Sequence, residues 1–217
     1  MKPYYERDGI TIYHGDCREI LAWTEADVLV TDPPYGMSFV SSRTTQRRPI
    51  TSDHDTSVRD AAMALWCCGR PAAVFGTWKA PRPANTVNRL IWDKQDGVGP
   101  GMGDLSLAFG SSDEEIYLLG AWPKTGRRRG NILRTSVGMS ALATNIGHPT
   151  PKPVGLLRQI ISEAPPGSVA DPFCGSGSTL EAASLESRRA IGIEIEERYC
   201  EIAAKRLSQR VMFGVDT

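Results

Sequence analysis

The stretch Val169-Ala170-Asp171-Pro172-Phe173-Cys174-Gly175-Ser176-Gly177-Ser178-Thr179-Leu180 joins a short apolar run, a glycine-rich turn and the beginning of a helical segment. Glycines in such a turn let the backbone approach a ligand closely, and the free amides at a helix start favour a negative group. This order of strand, turn and helix predicts a βαβ unit with a ligand site at the turn.

The strand that follows, Ala190 to Glu194, ends in an acidic residue. Glu194 stands about twenty residues past the glycines, where a carboxylate can accept both hydroxyls of a ribose. Leu180 occupies the place of the third glycine of GxGxxG, which argues against NAD and its pyrophosphate. An adenosine ligand with a compact sulfonium amino-acid tail fits better, and an ordinary βαβ turn is the alternative for this motif alone.

A second strand end carries the tetrapeptide Asp32-Pro33-Pro34-Tyr35, directly after the apolar run Ala26 to Thr31. The prolines restrict the backbone, so that the carbonyls of Asp32 and Pro33 face outward as acceptors. Tyr35 adds a flat aromatic face. Two acceptors for an amino group and a ring for stacking suit a base that is flipped out of a nucleic acid. The alternative is a plain Pro-Pro turn with Tyr35 as a core residue.

With these two motifs in this order, the chain resembles the DNA amino-methyltransferases that use S-adenosylmethionine. The order is the permuted, β-type one, in which the DPPY motif precedes the cofactor loop. The resemblance extends over nearly the whole chain, and the further segments that carry it are Gly15-Asp16-Cys17, Leu90 to Lys94, Glu115 to Leu119, and His148 to Pro153. Several matches in one order are more specific than any single motif.

The resemblance implies a set of site residues. The catalytic residues would be Asp32, Pro33, Pro34 and Tyr35. The residues near S-adenosylmethionine would be Asp16, Thr150, Lys152, Asp171, Phe173, Gly175, Gly177, Thr179, Glu194 and Ile195.

Within that set, we expect Phe173, Gly175 and Gly177 to line the methionine part and Glu194 to bind the ribose. By resemblance, Asp171 would hold the methionine amino group, while Lys152, Thr150 and Thr179 would lie near its carboxylate. Ile195 would pack on the adenine of the cofactor. Asp16 would lie beside that adenine, although an acidic turn residue after a strand is an equal interpretation.

Several functions compete at this stage. N6 methylation of adenine is favoured because the tetrapeptide begins with Asp32, whereas the family's cytosine-N4 enzymes more often have serine there. A nucleic-acid-binding module that holds the cofactor without turnover is disfavoured by the intact tetrapeptide. RNA and protein-glutamine methyltransferases usually begin the motif with asparagine and place the cofactor loop first, so the order of the two motifs disfavours both classes.

Two basic segments are candidates for DNA contact. The first, Gly36 to Thr56, contains Arg43, Arg47 and Arg48, and the second, Trp122 to Gly147, contains Lys124, Arg127, Arg128, Arg129 and Arg134. Both exceed the length of about 15 residues above which structureless connections are uncommon without a function. Their cations would neutralise phosphates, the alternative being solvated surface. The second segment is short for a recognition domain, which leaves loose recognition, a homodimer or a partner subunit open.

Composition and pattern set the outer limits. The chain has 217 residues, of which 41% are hydrophobic, and this predicts one globular domain. No apolar run approaches membrane-spanning length, so we expect no membrane partner. The five cysteines lack CxxC spacing, which suits a reducing cytoplasm. The resemblance implies that the cell is prokaryotic or phage-infected. The three histidines lack metal-ligand spacing, so we expect no metal.

The alternation of strand and helix patterns predicts a doubly wound, Rossmann-like α/β fold in three layers, α/β/α. Most of the sheet would be parallel, with an antiparallel edge formed by the strands Leu90 to Trp92 and Ile116 to Leu119. If the strands that end at Thr31 and Asp171 are neighbours, both motifs face one cleft. Trp78, Trp92 and Trp122 are expected to pack in the core or in loops.

Overall fold

The computed structural model describes residues 1–35, 55–66, 69–94, 108, 112–123, 129–135 and 151–212. Within them lies one nine-stranded sheet with four α-helices and a short 3-10 helix at Leu21–Glu25. The strands are β1 Tyr5–Arg7, β2 Ile10–His14, β3 Val28–Thr31, β4 Ala72–Gly76, β5 Thr86–Asp93, β6 Asp113–Leu119, β7 Ile132–Arg134, β8 Val169–Asp171 and β9 Ala190–Glu194. The helices are α1 Ser57–Trp66, α2 Val154–Ile161, α3 Ser178–Leu185 and α4 Glu197–Met212.

The strand order is β1-β2-β9-β8-β3-β4-β6-β5-β7. The five strands from β2 to β4 in this order run parallel to one another, so their carboxyl ends share one edge of the sheet. β6 runs antiparallel to both β4 and β5. The predicted fold class, with its antiparallel pair of late strands, is confirmed.

Side chains along β3 alternate between two buried clusters, as the pleat of a strand requires. Val28 and Val30 pack into the cluster that includes residues of α2, α3 and α4. Leu29 packs into the other cluster, with Trp66 of α1 and Trp23 of the 3-10 helix. The sheet is therefore covered on both faces, which explains why β3 reads as a continuous apolar run rather than an alternating one.

The structure also contains elements that the sequence pattern did not predict. β1 pairs antiparallel with β2, and β7 pairs parallel with β5. β7 lies inside the segment Trp122 to Gly147, for which the sequence predicts a loop. Each of these strands has three residues, too few for a period of two to be recognised.

One glycine outside the cofactor turn generates a stability prediction. A Cβ on Gly192 of β9 would lie 2.8 Å from both Cys174 Sγ and Leu180 Cδ1. Gly192→Ala should therefore lower the free energy of unfolding by about 1–3 kcal/mol, measured by urea denaturation. The matched control is Gly155→Ala in α2, where an added Cβ meets nothing within 4 Å. An equal loss in both variants would contradict this packing.

Candidate active site

The two predicted motifs meet where the winding of the sheet reverses. From β3 the chain passes through α1 to β4 on one side, and from β8 it passes through α3 to β9 on the other. β3 and β8 are direct neighbours, with Val28 opposite Val169. In doubly wound sheets ligands bind at the carboxyl ends of the strands beside such a reversal. Asp32 and Asp171 therefore border the same crevice.

Asp32 follows β3 and has both carboxylate oxygens engaged. Its Oδ1 accepts a hydrogen bond from the hydroxyl of Tyr35. Its Oδ2 lies 2.6 Å from Nζ of Lys152, which also lies 3.4 Å from the Tyr35 hydroxyl. The tetrapeptide is thus closed into a compact group by one lysine from a segment far away in the sequence.

Lys152 is largely buried, with 11% of its side chain exposed. Its ammonium lies 5.1 Å from the ring centroid of Phe75 and 5.7 Å from that of Tyr35. Burial alone lowers the pKa of Lys152, but the carboxylates of Asp32 and Glu114 outweigh burial and raise it above its usual value. Lys152 is therefore a stable cation and not a base.

Glu114 and Lys94 complete this cluster, and neither is among the site residues predicted from the sequence. Glu114 Oε2 lies 3.2 Å from Lys152 Nζ, and its Oε1 lies 2.6 Å from Lys94 Nζ. Burial raises the pKa of Glu114, but the two lysines lower it more, so the net shift is downward. The acidic residues at the start of β6 could have indicated Glu114. A strand that pairs antiparallel with β4 begins at the edge of the sheet where β4 ends, and the site lies at that edge.

On the other side of the reversal, Asp171 is the most deeply buried acid of the site. It accepts hydrogen bonds from the Thr31 hydroxyl at 2.7 Å, from the Phe173 amide at 3.1 Å, and from the Thr179 hydroxyl. Burial raises the pKa of Asp171 to about 6, although these hydrogen bonds oppose the shift. Such a carboxylate gains from a nearby ligand cation.

Glu194 lies at the end of β9 and is also buried. Its Oε2 accepts from the Gly175 amide at 2.9 Å and its Oε1 from the Glu196 amide at 2.8 Å. Burial raises the pKa of Glu194 to about 7, and the two amides oppose the rise. Each oxygen retains a further lone pair, so a ribose diol can still be accepted there.

The glycine turn has a structural role in addition to the predicted one. Gly175 and Gly177 have φ values of 48° and 81°, in the left-handed region that favours glycine. A Cβ on Gly177 would lie 3.0 Å from the Cβ of Ala203 in α4. Arg206 of α4 donates to the Ser176 carbonyl and to Ser178 Oγ, which fixes the same turn. Gly177 therefore permits close packing of α4 against the turn.

The remaining residues predicted to bind the cofactor differ in burial and in the contacts they make. The side chain of Asp16 accepts from Arg18, whose backbone amide lies 2.8 Å from Oδ1, so a turn role is clearly present. Hydrogen bonds from Arg18 lower the pKa of Asp16. Phe173 packs partly buried against the core, and Ile195 is exposed. Thr150 lies outside the described residues.

Most of the predicted DNA contacts also lie outside the described residues: Arg43, Arg47, Arg48, Lys124, Arg127 and Arg128. The two that are described form exposed ion pairs. Arg129 Nε lies 2.8 Å from Glu163 Oε1, and Arg134 Nε lies 3.1 Å from Asp93 Oδ2. Arg134 is the last residue of β7, which ends at the same edge as the candidate site.

The three tryptophans differ from one another. Trp92 is buried and Trp122 packs against the core, as expected. Trp78 does not pack in the core: it is 72% exposed, in the turn that follows β4. Trp78 thus has a loop position, one of the two that the sequence predicts, because β4 ends at Gly76.

The described cysteines do not suggest a nucleophile. Cys17, Cys174 and Cys200 are free and buried. Burial raises the pKa of Cys17 and of Cys200 to about 12, and raises that of Cys174 well above its usual value. Among the residues that the structure describes, no group of side chains has the arrangement of a metal site. In the same part of the chain, no helix has the length and apolar character needed to cross a membrane.

The comparisons with known proteins agree with this geometry. The family model of N6/N4 type described as DNA methylase matches residues 111–205. The Type II methyltransferase M2.DpnII of Streptococcus pneumoniae is 48% identical over 254 residues, covering 95% of this chain and 92% of the relative. The chain belongs to the N6/N4 DNA methyltransferase family.

A further relative and two solved structures of the same fold are similar over most of the chain. M2.LlaDCHI, a Type II methyltransferase of Lactococcus lactis subsp. cremoris, is 24% identical and covers 99% of this chain and 95% of its own length. The crystal structure of the M1.HpyAVI–SAM complex has a TM-score of 0.62 at 22% identity, covering 91% of this chain and 99% of that one. The cytosine-N4-specific PvuII DNA methyltransferase has a TM-score of 0.67 at 15% identity, covering 94% of this chain and 88% of that one.

The buried acids of the methyltransferase predict an unusual pH dependence. Asp171 and Glu194 have folded-state pKa values of about 6 and about 7, above those of unfolded chains. Between the unfolded and folded values the native state binds more protons, so these two acids make the free energy of unfolding fall as pH rises. Asp171→Asn should remove the part of this fall between about pH 4 and pH 6.

Urea denaturation of wild type and variant across pH 4 to 8 measures the difference. The control is Asp16→Asn, because the pKa of Asp16 is lowered by Arg18. Asp16 contributes stability above its unfolded pKa, so this variant should lose stability relative to wild type as pH rises. If the free energy of unfolding depended on pH in the same way in wild type and in Asp171→Asn, the raised pKa of Asp171 would be contradicted.

Proposed function

We propose that this chain transfers a methyl group to the exocyclic N6 amine of an adenine that has been flipped out of DNA. The coarser statement is established: the chain belongs to a family of DNA methyltransferases that act on N6 or N4 amines. S-adenosylmethionine is the methyl donor, and it supplies an electrophilic methyl group on its sulfonium sulfur. The observation that carries methyl transfer in this crevice is the position of Asp32 beside Asp171 across the reversal of the sheet, and the choice of adenine rests on Asp32 as the first residue of the tetrapeptide.

The residues of β8 and β9 fit this cofactor. Asp171 is a buried acid whose raised pKa would return toward normal beside the amino group of a methionine tail. Glu194 has one backbone donor on each oxygen and capacity for a ribose diol. The contacts of Thr179, Phe173 and Gly175 fix Asp171 and Glu194 in these positions. Thr150, Asp16 and Ile195 stay predictions for the carboxylate and adenine ends.

On the other side of the crevice, Asp32 and the Pro33 carbonyl would accept the two hydrogens of the target amine. The lone pair of such an amine is delocalised into the ring, so acceptors that favour a pyramidal nitrogen make it a better nucleophile. They also stabilise the positive charge that builds on nitrogen during transfer. A carboxylate has about four lone-pair sites, so Asp32 can accept from the amine while it contacts Lys152 and Tyr35.

Tyr35 would stack on the extruded base, and Pro34 would hold its orientation relative to Asp32. The hydrogen bond from the Tyr35 hydroxyl to Asp32 fixes the ring. Stacking offsets part of the energy needed to unstack and unpair the base. Alignment of the amine with the donor methyl supplies much of the remaining acceleration, because effective molarities of about 10⁵ M or more are available to well-placed partners.

N4 methylation of cytosine is the second candidate. The cytosine-N4-specific PvuII enzyme shares the fold with a TM-score of 0.67, so the architecture accommodates either base. Adenine is favoured because the tetrapeptide begins with Asp32. Incubation of the protein with S-adenosylmethionine carrying a tritiated methyl group and with plasmid DNA, followed by digestion to nucleosides, separates the two. Label in N6-methyl-2′-deoxyadenosine supports the proposal, and label in N4-methyl-2′-deoxycytidine overturns the choice of base.

The role of Asp32 gives the first prediction of this function. Asp32→Ala should abolish methyl transfer, because the amine loses its charged acceptor, while the affinity for S-adenosylmethionine stays near that of wild type. Tritium transfer and calorimetric titration of the cofactor measure the two effects. Circular dichroism and thermal unfolding check that the variant is folded. Turnover near the wild-type rate in a folded variant would remove Asp32 from the mechanism.

The segments Gly36 to Thr56 and Trp122 to Gly147 are proposed as the DNA-contacting parts of a single methyltransferase domain. Arg43, Arg47 and Arg48 belong to the first, and Lys124, Arg127, Arg128, Arg129 and Arg134 belong to the second. Arg134 pairs with Asp93 at the site edge and Arg129 pairs with Glu163, and each would exchange its acidic partner for a phosphate. A homodimer or a partner subunit would extend this limited recognition surface.

Replacement of Arg127, Arg128 and Arg129 together by glutamine should weaken binding to every DNA sequence. If all three contact phosphates, the slope of log affinity against log salt should flatten by about 0.9 for each contact removed. Fluorescence anisotropy at several salt concentrations measures this slope. Arg158→Gln is the control, since Arg158 pairs with Glu186 on the helical layer. A triple variant with the wild-type slope would make the cluster solvated surface.

A further inference from the structure

Glu114 lies at the site because of how β6 pairs with β4. The two strands are antiparallel with Gly76 opposite Glu115, so β6 begins at the edge where β3 and β4 end. Successive side chains of a strand point to opposite faces. Glu115 is bound by Arg89 at 2.6 Å and by the Tyr117 hydroxyl, whereas Glu114 is bound by Lys152 and Lys94. Two adjacent glutamates therefore have separate partners.

Three oxygens lie within 3.4 Å of the Lys152 ammonium, two of them in ion pairs. They are Asp32 Oδ2 at 2.6 Å, Glu114 Oε2 at 3.2 Å and the Tyr35 hydroxyl at 3.4 Å. A lysine side chain is long and flexible, so one ion pair does not define the position of its ammonium. Glu114 supplies a second anchor from a strand that is hydrogen-bonded on both sides.

Charge balance gives Glu114 a second effect. The target amine becomes positive during methyl transfer, and the Lys152 cation beside Asp32 opposes that charge. Glu114 offsets the Lys152 charge, and Lys94, which is bound to Glu114, keeps the acid ionised. Without Glu114, Asp32 alone would have to balance both the ammonium and the developing charge on the amine.

We propose that Glu114 is a positioning residue of the methyl-transfer site, which holds the Lys152 ammonium so that Asp32 keeps its geometry and its charge for the target amine. This inference rests on the proposed role of Asp32. In this proposal Glu114 acts through Lys152 and not directly on the base or the cofactor. Lys152 thereby has a role at the amine side of the crevice, in addition to the predicted contact with the methionine carboxylate.

Glu114→Gln and Glu115→Gln form a matched pair for the test, because they make the same change at adjacent positions of β6. Glu114→Gln should lower kcat by about 10- to 100-fold, in the range that follows small displacements of reacting groups, with cofactor affinity unchanged. Glu115→Gln should leave kcat near the wild-type value. Equal losses of kcat in the two variants, or no loss in Glu114→Gln, would overturn the proposal.

The separate effects on kcat and on KM distinguish positioning from a merely structural effect. Glu114→Gln should lower kcat and leave the KM values for S-adenosylmethionine and for DNA near those of wild type, because Glu114 acts on the geometry of Asp32 and not on binding. A rise of either KM large enough to account for the lost activity would overturn the proposal.

A double-mutant cycle tests whether Glu114 acts through Lys152. In the Lys152→Met background, adding Glu114→Gln should cause little further loss of kcat, since the ammonium that Glu114 holds is already absent. Losses that multiply would show an independent role for Glu114 and overturn the proposal.

Wild-type tritium transfer distinguishes failure of this inference from failure of the proposed function. If wild type labels neither base, the proposed function fails. The positioning by Glu114 is then decided by NMR relaxation of lysine labelled with ¹³C at Cε, with the Lys152 signal assigned by Lys152→Met. Glu114→Gln should increase the motion of the Lys152 side chain, and Glu115→Gln should not; equal motion in both variants would overturn the positioning role.

Discussion

The parallel pairing of β3 with β8 is the constraint on which the site depends. It joins two strands that are far apart in sequence, and the chain leaves them in opposite directions along the sheet. The hydrogen bond from Thr31 to Asp171 crosses this pair at its carboxyl end. Asp32 and Asp171 are consequently neighbours in space, although they belong to two motifs that are far apart in the sequence.

The edge of the sheet concentrates acidic side chains, and they are accommodated in two ways. Around Asp32 and Glu114, the buried Lys152 and the more exposed Lys94 neutralise the charge directly. Around Asp171 and Glu194 the donors are hydroxyls and backbone amides, so burial dominates and the pKa rises. The first arrangement fixes the position of the Asp32 carboxylate, which is proposed to accept from the target amine. The second favours a ligand that brings its own positive charge and its own hydroxyls.

The sequence predicted the fold class and the meeting of the two motifs because both are local patterns at strand ends. β3, β8 and β9 are apolar runs bounded by turn residues, and their pairing follows from the rules of doubly wound sheets. The role of Gly177 was only partly predicted, since its contact with Ala203 depends on where α4 packs. Glu114 was missed because its position depends on the register of β6 against β4, which no local pattern encodes.

A crystal structure of the protein with S-adenosylmethionine is the most direct test of one crevice shared by both motifs. The result expected is a cofactor whose amino group contacts Asp171, whose ribose contacts Glu194, and whose methyl group faces Asp32 and Tyr35. A cofactor bound away from the end of β8, or with its methyl group directed away from Asp32, would contradict it.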